Sequence, residues 1–213
     1  MKVRYVYGND ASRALDILRA AVLLNSPEAL HAALGAFETG LRQAKWEIAG
    51  ATDRIKNPTP GGYRDLLLYL RLPNDFICTL QFQLYPMLAA KAQAHPLYVE
   101  ARRIVARASA TQPYSVLICD LFNYQMEEEE FVLGGFSSLE QAREFARRWV
   151  RDSVEELRAK GRKREEHRLL WLLFGEDASV IEDAYAGSDE LDLFLAEPAS
   201  QAETDWRAIL PET

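Results

Sequence analysis

Leu30, Leu34, Phe37 and Leu41 recur at spacings of three and four, the repeat that lines one side of an α-helix. The helix so predicted runs from Pro27 to about Leu41. Ser26 stands where an N-cap belongs, and Pro27 falls in the first turn, where its missing N–H costs nothing. Ahead of it Ile17–Leu24 is a continuous apolar run. Behind it come a short apolar patch at Trp46–Ile48, the polar loop Lys56-Asn57-Pro58-Thr59-Pro60-Gly61-Gly62, and two β-type runs, Tyr63–Leu72 and Phe76–Leu84. Pro73-Asn74-Asp75 joins those runs as a hairpin. A helical stretch follows from Met87 to about Ala108. Pro96 within it biases His95 away from helical geometry, so the pattern predicts a kink or a break there.

Gln112-Pro113 punctuates the chain at its midpoint. The strand-like run Tyr114–Leu121, the acidic run Glu127–Glu130 and Phe131–Phe136 then predict a second hairpin. Ser137-Ser138-Leu139-Glu140-Gln141 reads as a capping box. In the helix it starts, Leu139, Ala142, Phe145, Ala146, Trp149, Val150 and Leu157 share one face, and Arg143, Arg147, Arg148 and Arg151 lie on the other. A helix over about Arg164–Phe174 and a short one near Leu191–Leu195 complete the pattern, which contains no internal repeat. The four consecutive glutamates point in different directions on a strand or turn and lack the alternating ligand spacing of a calcium loop, so they read as a solvated, aggregation-resisting edge.

With 213 residues, 48% hydrophobic and 27% charged, the chain has the composition of a globular protein with enough length for one large or two small cores. No stretch reaches the roughly 18 apolar residues of a membrane span, and the first residues lack a signal-peptide core; the expected location is cytoplasmic. Cys78 and Cys119 each sit in an apolar run without a neighbouring ligand at metal spacing, as reduced core residues do. The net charge of −7 is unevenly spread. Residues 1–110 hold 14 Lys and Arg against 9 Asp and Glu, a net +5, whereas residues 111–213 hold 11 against 23, a net −12. A basic half favours an anionic ligand, and an acidic half argues against nucleic acid or acidic lipid as a partner; alternatively, two domains simply differ in composition.

From Asp53 to Asp65 the chain reads Asp-Arg-Ile-Lys-Asn-Pro-Thr-Pro-Gly-Gly-Tyr-Arg-Asp. This resembles the Asp-Tyr-Ile-x-x-Pro-Lys-x-Asn-Gly-Tyr-Arg-Ser segment of RelA/SpoT-type guanosine polyphosphate synthetases. In that family a strand bearing Glu-x-Gln follows and then a helix; here Thr79-Leu80-Gln81 stands in the corresponding place, with Met87 to Tyr98 after it. Asp16-Ile17-Leu18-Arg19 resembles the family's Asp-Ile-x-x-x-Arg element with the arginine one place early. The resemblance spans about residues 12–105, and only the Asp53–Asp65 segment is specific by itself.

The resemblance implies an α/β nucleotidyltransferase-like amino-terminal domain over residues 1–110, a mixed sheet backed by helices. A small acidic α+β domain over 111–213 would follow it. Through Asp120-Leu121-Phe122-Asn123-Tyr124-Gln125-Met126 and Gly134-Gly135-Phe136 the second half resembles a small acidic domain of bacterial proteins, which implies no activity. In the first half the resemblance implies a purine nucleotide site. Tyr63 beside two glycines would offer its ring to a base, for about 1–3 kcal/mol of stacking, or else pack as an ordinary strand tyrosine. Arg54, Lys56 and Arg64 would meet phosphate oxygens, or else be simply solvated, Lys56 above all. Gln81 and His95 would border the site; a lone histidine also serves structure. Asp16 would hold Mg²⁺ beside the phosphates, or else cap a turn or pair with Arg19.

Two departures weaken catalysis. Thr79 stands where the family carries the glutamate that activates the ribose 3′-hydroxyl, and a threonine supplies no general base. Only 15 residues precede Asp16, too few for the family's helix and basic ATP-binding segment. Phosphoryl transfer depends on positioning and charge neutralisation, so the expectation is a non-catalytic module that binds a purine nucleotide or a protein partner. The alternatives are an ATP-dependent pyrophosphokinase acting on GDP or GTP, and an immunity or adaptor protein in which the pocket is only scaffold.

Overall fold

The computed structural model describes residues 2–15, 17–161 and 163–211. The chain is a mixture of helices and strands with two sheets, and it divides into two compact units, Met1–Gln93 and Ala94–Thr213. The division falls inside a helix, upstream of the Gln112-Pro113 turn at which the sequence reading placed its boundary.

The first unit holds α1 (Lys2–Tyr5), β1 (Arg19–Leu24), α2 (Pro27–Ala44), β2 (Glu47–Asp53), β3 (Leu66–Arg71), β4 (Ile77–Leu84) and the start of α3 (Tyr85–Ser109). Its sheet has the order β1-β4-β3-β2. β1 runs parallel to β4 with Arg19 beside Thr79 and Ala21 beside Gln81; the other two pairings are antiparallel. The sheet is therefore mixed. The β3–β4 turn closes through Asp75 N–H to the Leu72 carbonyl at 2.9 Å, with Asp75 at φ 64°, a conformation Asp tolerates better than most residues. Ser26 caps α2, its hydroxyl accepting from Ala29 N–H at 3.2 Å. Because strand side chains alternate, Leu68 and Leu70 of β3 and Cys78 and Phe82 of β4 fall on one face, where Leu30 and Leu41 of α2 cover them. Phe37 meets Phe82 edge-on at 5.4 Å. Burying leucines and phenylalanines of this kind stabilises by about 1.5–3 kcal/mol each.

The second unit continues α3 and adds β5 (Val116–Asp120), β6 (Phe131–Leu133), α4 (Leu139–Ala159), α5 (Arg164–Phe174), β7 (Glu176–Val180), α6 (Leu191–Ala196) and α7 (Gln201–Thr204). Its antiparallel sheet has the order β6-β5-β7. The carboxy-terminal half of α3 belongs to this unit because Tyr98 and Ala106 pack with Leu117, Cys119 and Ile181. On the opposite sheet face α4 brings Trp149 to Phe131 of β6 at 6.3 Å, and Phe145, Trp149 and Trp206 pack together with Trp149–Trp206 centroids 4.7 Å apart. Ser138 caps α4 by accepting from Gln141 N–H at 3.1 Å, while Gln141 Oε1 accepts from Ser137 N–H at 2.7 Å. Among the described residues no helix is long and apolar enough to cross a membrane.

Three expectations change. Of the kink or break expected at Pro96, the break does not occur: α3 runs through it. Its missing N–H costs the helix about 3 kcal/mol, and the buried neighbours His95 and Val99 supply the packing that holds the helix through it. Arg151 is not on the solvent face of α4 but buried, with its guanidinium carbon 4.8 Å from the Phe194 ring centroid, a cation–π placement. Glu130 is not part of a solvated edge: its carboxylate is buried, pairs with Arg102 Nε at 2.7 Å and accepts from the Tyr98 hydroxyl.

Candidate functional site

The alternation that buries Cys78, Leu80, Phe82 and Leu84 under α2 sends Thr79, Gln81 and Gln83 to the other face of β4. All three are buried there. The loop between β2 and β3 contributes Arg54, Tyr63 and Asp65 to the same face, and α3 contributes Lys91. These seven side chains form a buried polar cluster.

Asp65 is its centre. Arg54 donates to Asp65 through Nε and, at 2.6 Å, through Nη2, the two-point pairing that suits guanidinium to carboxylate. Gln81 Nε2 donates to Asp65 Oδ2 as well, and lies 3.3 Å from the Tyr63 hydroxyl. Gln83 Nε2 donates to the same hydroxyl at 2.5 Å. The Tyr63 ring has Arg54 Cζ 5.5 Å and Lys91 Nζ 5.8 Å from its centroid. Backbone contacts fix the loop: Tyr63 N–H donates to Thr59 Oγ1 at 3.0 Å and Gly62 N–H to the Thr59 carbonyl at 2.8 Å. Gly62 sits at φ 81° with open space where a Cβ would project, so the turn itself requires this glycine.

The sequence-predicted residues are thus only partly brought together. Arg54, Tyr63, Gln81 and Thr79 belong to the one cluster. Tyr63 is 3% exposed, so its ring is covered by side chains and is not an open platform for a base. Arg64 is exposed and donates from Nη1 to the Ile55 carbonyl. Lys56 is exposed with Nζ 3.6 Å from Asp53, the solvated arrangement. His95 lies in the second unit, 2.7 Å from Asp177 Oδ2. Asp16 lies outside the described residues. Asp65, Gln83 and Lys91 joined the cluster without being singled out beforehand; the polar triplet Thr79, Gln81, Gln83 at alternate positions was the available signal.

Three atoms on this face keep unused hydrogen-bonding capacity among the described residues: Arg54 Nη1, Thr79 Oγ1 and Gln83 Oε1. For Mg²⁺, the described cluster offers one carboxylate, and Arg54 and Gln81 engage it. No group of three or more His, Cys, Asp or Glu suited to a metal occurs among the described residues.

No family model matches the chain, and no curated protein matches it. Among solved structures it is similar to the small alarmone synthetase 1 from Bacillus subtilis, crystallised with its product pppGpp, over 42% of this chain and 48% of that one, with a TM-score of 0.34 and 14% identity. The matched part spans about half of that enzyme's length.

Proposed function

We propose that the chain is a non-catalytic RelA/SpoT-like module that works by binding, with the polar sheet face serving as scaffold and a protein as its partner. The observation that carries this reading is the closed cluster around Asp65. The place of a general base on β4 is held by Thr79, a group that does not titrate, and the adjoining Gln81, Asp65, Arg54 and Tyr63 are hydrogen-bonded to one another. A carboxylate base that must take a proton from a ribose hydroxyl needs to stand within about 3 Å of it, and among the described side chains of this face Asp65 is the only carboxylate. Its carboxylate is committed to Arg54.

Incubating the purified protein with ATP, GDP or GTP and Mg²⁺, and resolving the nucleotides by anion-exchange chromatography, tests the absence of turnover. The expected result is no guanosine tetra- or pentaphosphate above background. Product formation abolished by Asp16→Ala would establish the pyrophosphokinase reading, with another residue replacing the base.

A second reading, a purine nucleotide bound without turnover, is favoured by the unused donor and acceptors at Arg54, Thr79 and Gln83. A buried polar group without a partner costs about 1–3 kcal/mol, which a polar ligand entering this face would recover. Calorimetric titration with GDP, GTP and ATP separates the two readings: saturable heat lost in Arg54→Ala supports the nucleotide, and no heat with any of them supports the protein partner.

A further inference from the structure

The outer face of α3 in the second unit carries Ala94, Leu97, Ala101, Ile104 and Ala108, separated by three, four, three and four residues. All five are exposed, Leu97 by 75% and Ile104 by 64%, and Val105 beside them by 55%. Large apolar side chains exposed along one helix face are unusual in a monomer, and the alternation of three and four is the seam by which one helix packs along another. The inner face of the same helix, with Tyr98, Val99 and Ala106, is occupied by its own unit. The seam therefore has no use within that unit.

From this we infer that the protein self-associates through an antiparallel pairing of α3 with α3 of a second copy. In heptad terms Ala94, Ala101 and Ala108 occupy a positions, Leu97 and Ile104 occupy d positions, and Glu100 and Arg107 are successive g residues. In an antiparallel pair each a residue faces a d residue of the partner. Ala101 then lies against the other copy's Ile104, and Leu97 against its Ala108, so that every large side chain meets a small one and the backbones approach closely. The same register brings Glu100 of each copy beside Arg107 of the other, twice by symmetry. Sliding one helix by a heptad in either direction sets Glu100 against Glu100 or Arg107 against Arg107. A parallel pair would face g residues with e residues, and Glu100 would meet Val105. Charge complementarity thus selects one orientation, one register and one occupant, a second copy of this chain.

From Leu97 to Ala108 the seam is 12 residues long, about 18 Å at the helical rise. That covers less than the ~1,200–2,000 Å² of a strong specific interface, so a dissociation constant on the order of tens of micromolar is expected.

Sedimentation equilibrium of the full chain from about 5 to 500 μM should show a monomer–dimer equilibrium, and Leu97→Glu with Ile104→Glu should leave only monomer. Glu100→Arg alone and Arg107→Glu alone should each weaken association about ten-fold, and combining the two should restore it. Glu100 also pairs with Arg103 in its own chain, a pair that the combined change does not rebuild. Orientation is read by disulfide trapping: a mixture of Leu97→Cys and Ala108→Cys chains should cross-link to each other and neither to itself, the native Cys78 and Cys119 being buried. Monomer throughout the concentration range, no rescue in the combined charge variant, or self-cross-linking of Leu97→Cys would overturn the proposal.

Discussion

His95 Nε2 lies 2.7 Å from Asp177 Oδ2, with both side chains buried. Asp177 is satisfied on every side: Ser188 donates to it from Oγ at 2.6 Å and from its backbone at 3.2 Å, and Ala178 N–H donates at 2.9 Å. One carboxylate on β7 thus ties α3 to the turn that begins at Gly187, and His95 belongs to the frame of the second unit.

Removing that carboxylate strands four donors in the interior. Asp177→Ala should lower stability by about 3 kcal/mol, read by urea denaturation with the fluorescence of Trp149, Trp171 and Trp206. Ser188→Ala, which loses one hydroxyl, should cost about 1 kcal/mol. Equal losses in the two variants would mean that Asp177 is not the hub.

Alkaline pH offers a second test. Burial, reinforced by the adjoining Glu130, pushes the Tyr98 hydroxyl far above its ordinary value; burial pushes Tyr124 up to about 12; burial and the hydrogen bond to Glu190 raise Tyr185. In the unfolded chain these hydroxyls ionise near 10. Above that pH the folded state therefore holds protons that the unfolded state has released. Stability is full below about pH 10 and should fall above it, by about 1.4 kcal/mol per pH unit for each hydroxyl still protonated in the fold. In a spectrophotometric titration at 295 nm Tyr98 and Tyr185 should stay silent until the chain unfolds and Tyr124 until about pH 12, and smooth ionisation of all nine tyrosines near pH 10 would contradict their burial.

Gly187 gives a third. A Cβ there would stand 2.5 Å from Val150 Cγ2 and 2.7 Å from the Ala146 carbonyl of α4, so the turn after β7 lies against the helix without room for a methyl group. Gly187→Ala should destabilise by about 1–3 kcal/mol through overpacking. Gly161→Ala places its methyl in open space and meets only the strain of φ 68°; comparing the two thermal midpoints separates crowding from backbone strain.

Legibility followed the strength of local signals. α2 and α4 were readable because their caps, Ser26 and Ser138, precede apolar stripes with the helical period, and the β3–β4 hairpin because Pro73-Asn74-Asp75 interrupts two apolar runs. β7 was not, since Glu176-Asp177-Ala178-Ser179-Val180 carries little apolar character; its strand form comes from pairing with β5, where Ile118 sits opposite Ala178. No break came at Pro96, because a local rule met a helix held from the side. At the site, Thr79 and Gln81 were named through the resemblance, and Arg54 and Tyr63 as neighbours in the loop, whereas Gln83, two places beyond Gln81, was not. Their burial was not visible, because exposure depends on what packs over a face, and that is a tertiary fact.

Burial of Tyr63 changes what its substitution should do. An open stacking ring could be cut back to alanine at the expense of ligand binding alone. As the structure stands, Tyr63 is buried with Arg54 and Lys91 near its ring, and its hydroxyl partners Gln81 and Gln83. Tyr63→Ala should leave a cavity in the first unit and destabilise it by about 3–5 kcal/mol, the range for aromatic truncation in a core. Tyr63→Phe keeps the volume and should cost about 1–2 kcal/mol for the amides it strands. Asp65→Ala leaves the Arg54 guanidinium buried without its carboxylate and should cost about 3–5 kcal/mol, whereas Arg64→Ala, on an exposed side chain, should change stability by no more than about 0.5 kcal/mol. Urea denaturation of the four variants orders them. If Tyr63→Ala proves as stable as the unaltered chain, the ring is open in solution, and the nucleotide reading of this face gains over the scaffold.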